Sequence, residues 1–466
     1  MNRELTERPF LLASIGLACG LASATFPAAL IGVLAVLVAL IIPSPKDLPA
    51  RVPAAAWVLG PMLVGWVLAP RIEPSLSEAV PFDGDAQVVR MPKLFNDSVQ
   101  CLVRVDKRLA VAYFSLEQQP SLGDVWQVGG RLRPLSETQD RFWPYRGVTA
   151  RLQIASATRV RSGPTVFRWA DEWRRAMIAL TSSVLPAESA SLVEALCFNL
   201  DGRLSMETAD ELRATGTTHI IAASGLQVVL FASALNVVLA LVPIGRTWQL
   251  GLLFAVLAMY AMATGLNAPV VRATIMAATY YSAYLVRREP DWLSALGFSS
   301  LLYLLWQPWG VFDVGFQLSY LCVAALAAFA VRDEEGRPLW YRWILSRIWD
   351  GARATMICTF VAAPLVAYQF GQVSVVGVAA NLGVLFLVPP TIVLAMSGLA
   401  VHALWPAAGV GLVGLAGLLA GTMGSIIEWF SRLPGALIGS PGFSPWWMVP
   451  YYLGLILLFR PKVRHA

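Results

Sequence analysis

RTWQLGLLFAVLAMYAMATGLNAPVVRATIMAATYYSAYLVR, residues 246–287, is the stretch that decides the fold. Between its terminal arginines the only charged side chain is Arg272. The rest is long and apolar enough for two bilayer-crossing helices of roughly 20 residues each. A charged group inside the membrane costs about 2.5–3.5 kcal/mol on insertion scales, so it is kept mainly where it faces a polar path or a partner. Asn267 and Pro269 lie about a turn upstream and predict a helix broken near the membrane midplane, exposing backbone amides beside the guanidinium. Broken helices of that kind mark substrate sites in transporters. The competing readings are that Arg272 snorkels to an interface or pairs with a buried acid.

Composition places the whole chain in the same class. It has 57% hydrophobic residues, 14% charged residues and a mean hydropathy of +0.62, well inside the polytopic membrane range. No Asp, Glu, Lys or Arg occurs between Arg353 and Glu428, a run that must hold several spans. The net charge of +6 sits largely where membrane topology alone puts Lys and Arg, so it identifies no partner. Five cysteines without paired spacing argue against a disulfide framework and leave only a Cys101–Cys197 bridge open. The three histidines form no zinc pattern, and neither a metal nor a cofactor is expected.

Four regions follow from texture. Residues 1–70 read as N-terminal membrane helices, with two short spans over 10–42 interrupted at Pro27 and a third over 54–70; Ala22-Ser23-Ala24 also fits a signal-peptide cleavage site. Residues 71–162 change to short alternating runs at 99–105, 110–116 and 147–154, the pattern of a small β domain. Residues 163–216 read as amphipathic interfacial helices, with Trp169, Trp173, Met177, Leu180 and Val184 on one face and Asp171, Arg174 and Arg175 off it. Residues 217–460 return to membrane text, with spans near 219–243, 247–264, 270–286, 291–308, 312–331, 355–370, 375–402, 408–430 and 446–460. The total is about 12 spans. Arg3, Arg8, Lys46, Arg51, Arg246, Arg287, Arg288, the arginines from Arg332 to Arg353, and Arg460, Lys462 and Arg464 then share one side. The positive-inside rule makes that side cytoplasmic, with both termini inside and the β domain outside.

Polar groups that an inert anchor does not need occur in four stretches. His219, Ser224, Gly225 and Gln227 lie in 217–227; Asn267 and Arg272 follow; Gln317 and Ser319 lie in 313–320 behind Asp313; Asn381 lies between Tyr368 and Pro390. Singly, each has a plain reading as a bond to a neighbouring helix, a cap or an interface residue.

Taken in order, these stretches resemble the ComEC family of bacterial inner-membrane DNA-uptake channels. The family's Gly-x-x-His-x-x-Ala-x-Ser-Gly-x-His hallmark is matched by Gly216, His219, Ala222 or Ala223, Ser224 and Gly225, with Gln227 where the last histidine often stands. Its Arg-Ala-x-x-Met element is similar to Arg272-Ala273-Thr274-Ile275-Met276, and its Gly-Phe-Gln-Leu-Ser element to 315–319. Pro364, Phe370, Gly371, Ser374 and Asn381 resemble a further element. The resemblance implies a polytopic α-helical membrane protein, some of its helices broken, with a small extracytoplasmic OB-like domain. Many members carry a C-terminal metallo-β-lactamase-like domain. Nothing after Arg460 encodes one, so nuclease activity tied to it is not expected.

The resulting expectation is an inner-membrane channel, not an enzyme, that passes single-stranded DNA into the cytoplasm during natural competence. His219, Ser224, Gly225, Gln227, Asn267, Arg272, Gln317, Ser319 and Asn381 would line its path. Lys93, Lys107, Trp126, Arg131 and Arg133 on the β domain would receive the strand, with Phe95 and Tyr113 as further aromatics. Besides the lipid bilayer, the resemblance implies a periplasmic DNA-binding receptor and a cytoplasmic helicase or single-strand-binding motor. Oligomeric state is left open. The rivals are a small-solute permease and a metal-dependent nuclease using Asp83, Asp85 or Asp97.

Overall fold

A computed structural model describes residues 9–22, 61, 64–65, 76, 78–136, 143, 147–221, 225–240, 243–285, 291–329, 340–440 and 442–458. Ser224, most of the two N-terminal span regions and most of the arginines that set the topology lie outside the described residues. The first helix, α1 (Pro9–Ala22), buries Leu17 and Leu21 against Tyr303 and Leu304.

Six strands follow: β1 (Val80–Val88), β2 (Lys93–Leu94), β3 (Ser98–Val105), β4 (Arg108–Ser115), β5 (Val125–Arg133) and β6 (Val148–Arg161). Every second residue points inward, so Val99, Cys101 and Val103 meet Ala110, Ala112, Phe114, Trp126, Val128 and Leu152 in one core. The five long strands pair β1–β5–β6–β4–β3, with β4 and β6 parallel, and β1 also pairs with β3. That last pairing closes the sheet into a barrel and removes its open edges. The register of β6 slips where it passes Gly129 and Gly130; a Cβ on Gly130 would stand 2.1 Å from the Gln153 carbonyl oxygen, so the bend requires glycine.

Next come α2 (Thr165–Val184) and α3 (Ala187–Phe198), joined at Leu185 and Pro186. They form a hairpin inserted between barrel and bundle. Trp173 joins Phe198, Phe231 and Tyr260 in a ring cluster with centroids 4.8–6.2 Å apart. On its other side α2 meets the barrel: Asp171 and Arg174 are an ion pair at 2% and 5% side-chain exposure. Arg174 donates to the Pro92 carbonyl at 3.0 Å, and Ser121 Oγ donates to Asp171 at 2.5 Å. This corrects part of the interfacial reading of 163–216. From Trp173 onward the apolar stripe packs largely on protein, Trp169 stays 56% exposed, and Asp171 and Arg174 off the stripe are buried because the barrel covers them.

The helices that follow are α4 (Met206–Ala214), α5 (Thr218–Ile221), α6 (Gly225–Ala240), α7 (Arg246–Ala263), α8 (Ala268–Leu285), α9 (Trp292–Trp306), α10 (Val314–Phe329) and α11 (Trp340–Phe370). After strand β7 (Gln372–Ser374) come α12 (Gly377–Leu385), α13 (Val388–His402) and α14 (Pro406–Ser431). Strand β8 (Leu437–Gly439), which pairs with β7, and α15 (Met448–Leu458) complete the described chain. Helices thus occupy each region expected to span after residue 217. Among the described residues, Arg246–Ala263, the 349–370 part of α11 and Pro406–Ser431 are long and apolar enough to cross a membrane by themselves. The chain is a membrane protein.

Helices α12 and α13 together are long and apolar enough to cross, and they bend by 42° at the break between them, the geometry of a broken span or a re-entrant loop. Pro389 and Pro390 sit in the first turn of α13, where missing amide donors are tolerated but continuation of α12 is not. Helix α14 presents Gly417, Gly421 and Gly424 to α3: Cβ atoms there would come 2.2 Å from Leu185, 3.2 Å from Ser189 and 3.3 Å from Leu192. Small residues at this spacing let two helices pack backbone to backbone where no hydrophobic force drives association.

Cys101 belongs to the barrel core and Cys197 to the helical core, and both are free thiols. The Cys101–Cys197 bridge left open by the sequence is not formed.

Candidate functional site

Helix α8 begins after a turn in which Gly265 (φ 93°) and Leu266 (φ 55°) are left-handed and Asn267 Nδ2 donates to the Thr264 carbonyl at 3.0 Å. The break expected at Asn267 and Pro269 is therefore a turn between two helices, α7 and α8, and not an unwound midplane segment. Arg272 falls in the second turn of α8, about 6 Å along the axis from its first residue.

The guanidinium is 5% exposed. One Nη donates to the Ser319 carbonyl at 2.6 Å. The guanidinium carbon stands 5.5 Å from the Tyr320 ring centroid, and the other Nη lies against Gly225, where a Cβ would be 2.4 Å away. Nε is buried without a hydrogen-bond partner. Among the described residues no carboxylate pairs with it.

Gly225 opens α6, Ser319 is in the second turn of α10, and a Cβ on Gly315 would be 3.9 Å from Pro269 near the start of α8. Three helices of 16, 18 and 16 residues thus begin within about two turns of one cation. Each amino end carries about half a positive charge. At α10 the Asp313 carboxylate accepts from Phe316 N and offsets that end, so the positive, partly unsatisfied centre is Arg272 with the amino ends of α6 and α8.

Substituting Gly225 with Ala is expected to displace the guanidinium, because its Cβ and Nη2 would overlap. Activity should fall as far as with loss of Arg272 itself, whereas Ala at Gly251, which faces open space, should leave activity unchanged. Parallel uptake measurements on the two variants check this.

The other expected path residues mostly brace this centre. Gln317 Nε2 donates to the Val311 carbonyl at 2.8 Å and holds the short helix Pro308–Phe312 onto α10, while Asp313 caps α10 by accepting from Phe316 N. Gln227 is fully buried and donates to the Ile220 carbonyl at 3.3 Å, tying α5 to α6. Exposed His219 places Nδ1 2.9 Å from the Gly216 carbonyl. Ser374 Oγ donates to the Ala214 carbonyl at 2.7 Å, and Gly216 packs on Ser374, so the first and fourth stretches also meet. Asn381 is buried with Oδ1 unpartnered on α12, which packs mainly against α11, α13 and α14. Tyr320, whose ring faces the guanidinium, was missed; its place next to Ser319 was the available signal.

The barrel residues divide differently from expectation. Trp126 is 4% exposed inside the barrel beside Phe114, with Arg159 over it, because β5 turns its even positions inward; it is no stacking platform. Lys93 is paired with Asp201 at 2.9 Å. Half-buried Phe95 packs against Gly202. Arg131, Arg133 and Lys107 are exposed, and Tyr113 is 40% exposed with Arg151 above its ring at 5.9 Å. The register sets Arg151 opposite Arg133, so Tyr113, Arg151 and Arg133 form one outward basic stripe. Asp83 and Asp85 lie on β1, and among the described residues no cluster of acids, cysteines or histidines is arranged to hold a metal ion. The barrel meets the bundle near the Arg272 centre: Arg90 donates to Gln307 at 3.2 Å, and Gly147 packs on Trp309, both next to the short helix that Gln317 braces.

A second polar feature went unread in the sequence. A cleft of about 700 Å³ runs from Asn96 of the barrel past Glu207 and Glu211 on α4, Glu188 and Glu194 on α3, and Glu428 on α14. Burial, then Glu428, Glu207 and Glu188, raise the Glu211 carboxyl above the usual range. Its sign repels a polyanion, which separates it from the arginine centre.

Residues 196–464 match the family described as Competence protein, which is more than half of the chain. The chain belongs to this competence protein family. Over 210 residues it is 27% identical to ComE operon protein 3 of Bacillus subtilis (strain 168). That stretch covers 45% of this chain and 26% of the relative, about a quarter of the relative's length. No solved structure matches. The ComEC resemblance carried by the motifs holds at the level of the competence family. The matched region takes in all four motif stretches and leaves the barrel outside it.

Proposed function

We propose that this competence-family protein is the conduit through which single-stranded DNA crosses the bacterial inner membrane, and that the Arg272 centre is the phosphate-binding point of that path. The observation that carries the reading is a buried guanidinium that has no carboxylate partner among the described residues and lies beside the amino ends of α6 and α8. A polyanion crossing a low-dielectric slab needs fixed positive potential and contacts weak enough to let it slide. The protein acts as a channel and not as an enzyme. The measurement that tests this is passage of labelled DNA into the cytoplasm by the Arg272→Ala variant, scored beside surface DNA binding and protein level.

The barrel is OB-like in this reading. Support comes from its five long strands, the closing β1–β3 pair and the parallel β4–β6 pair, an arrangement of the oligonucleotide-binding Greek-key type. The strand lands on Tyr113, Arg151, Arg131 and Arg133, with bases over the tyrosine and phosphates on the guanidinium groups. Replacing Arg131 and Arg133 with Ala should weaken single-strand binding and lower the salt slope by about 0.7 per lost phosphate contact. Lys93→Ala should leave the slope unchanged because Asp201 already neutralises that cation. An unaltered slope in the double arginine variant would remove the barrel from the path.

The bundle in this proposal has about 12 spans, both termini in the cytoplasm and the barrel outside. A periplasmic DNA-binding receptor delivers the strand, and a cytoplasmic helicase or single-strand-binding motor draws it in.

A further inference from the structure

A groove of about 510 Å³ lies between α2 and the last turn of α13. Ala176 and Ala179 on one side and Ala400 and Ala403 on the other leave the space, Trp173 and Leu399 wall it, and Ser183 and His402 are its polar members. Ser183 Oγ already donates to the Leu180 carbonyl. His402 Nδ1 lies 3.2 Å from the Pro406 carbonyl, and its Nε2 has no partner among the described residues.

We infer that this groove holds one acyl chain of a membrane phospholipid, with His402 Nε2, the acceptor nitrogen once Nδ1–H donates to the Pro406 carbonyl, taking a hydrogen bond from an ammonium or hydroxyl donor of the lipid headgroup.

The surroundings identify the occupant. Immediately beyond His402 the chain exposes Leu404 at 90% and Trp405 at 66%, and Trp169, one turn before Trp173, is 56% exposed. In a chain with membrane-crossing helices, large apolar side chains so exposed fit a bilayer, and tryptophans favour the headgroup boundary. Helix α13 is half of the bent crossing pair, and the neighbouring α14 exposes Leu415 and Leu418. The groove is therefore continuous with the lipid-facing surface. Hydrocarbon that touches an alanine-lined furrow fills it, because an empty one forfeits dispersion contacts on both walls. A histidine at the rim places a hydrogen-bonding group where the acyl chain joins its polar head. The consequence is mechanical: α2 carries the barrel through Asp171 and Arg174, so a lipid between α2 and α13 sets the spacing between the barrel's support and the bent α12–α13 pair.

The test is photolabelling of the full-length protein in phosphatidylethanolamine and phosphatidylglycerol vesicles containing a diazirine-acyl phospholipid, with labelled peptides mapped by mass spectrometry. Peptides 176–183 and 399–403 should be labelled several-fold more than the Leu415–Leu418 face, which meets only bulk lipid. Filling the groove with Ala179→Phe and Ala400→Phe, or the milder Ala179→Leu and Ala400→Leu, should bring groove labelling down to that background. His402→Ala should lower it partly. Equal labelling of both faces in the parent protein overturns the proposal, as does labelling that survives groove filling. Cross-linking of the groove to another part of the chain or to a second copy in place of lipid also overturns it.

Discussion

Replacing Arg272 with Met is expected to reduce DNA passage into the cytoplasm by about a hundredfold to a thousandfold while surface binding and membrane protein level stay normal. A unit charge about 4 Å from a phosphate at an effective dielectric near 20 is worth about 4 kcal/mol, and every 1.4 kcal/mol is tenfold. Methionine keeps most of the apolar stem and loses the guanidinium that lies against Gly225, so it removes the charge with less loss of packing than alanine does. Alanine removes charge and stem and should be at least as damaging. Lysine restores the charge as a point and not as a planar fork. It cannot both donate to the Ser319 carbonyl and spread over Tyr320 as the guanidinium does, so partial recovery is expected. Normal DNA passage by a methionine variant at normal protein level would show that passage needs neither the Arg272 charge nor its contacts to α6 and α10.

Breaking the Asp171–Arg174 pair should have the largest effect on stability. Both groups are buried, and burial holds the Arg174 pKa below its usual value, with Asp171 offsetting only part of that shift. Removing one partner leaves an uncompensated charge between barrel and bundle, at a cost of about 3–5 kcal/mol. Arg174→Met also takes a donor from the Pro92 carbonyl, and Asp171→Leu takes an acceptor from Ser121. The double variant should be more stable than either single one, because two apolar groups of similar volume leave no orphaned charge. Thermal unfolding of purified protein, with proteolysis reporting release of the barrel, checks the order. Single variants as stable as the parent would mean that the barrel is held by its other contacts, such as Lys93–Asp201 and Arg90–Gln307.

How much could be read in advance follows from the range of the forces involved. The alternation that makes β3 and β4 strands, and the charge-free run from Ala354 to Ile427, are local properties of the text, and both led to the right kind of element. Arg272 could be singled out because one charge in apolar sequence is costly wherever its neighbours lie. Its depth could not be read, because Asn267 and Pro269 look alike whether they interrupt one span or join two. Trp126 was offered as a platform because its facing depends on the register of β5 against β1 and β6. The protein-covered part of helix α2 could not be told from a lipid-facing one, because an amphipathic stripe does not say whether lipid or protein covers it.

By itself, then, the sequence determined a helical membrane protein with a β module and named the polar stretches, since hydropathy and side-chain period act within one element. Only the tertiary structure decided that Gly225 meets Arg272, that Arg272 reaches a carbonyl 47 residues away, and that Arg174 caps a carbonyl 82 residues away. A buried polar group must be satisfied by whatever the fold brings to it, and that partner is set by packing between distant segments, which no local pattern encodes.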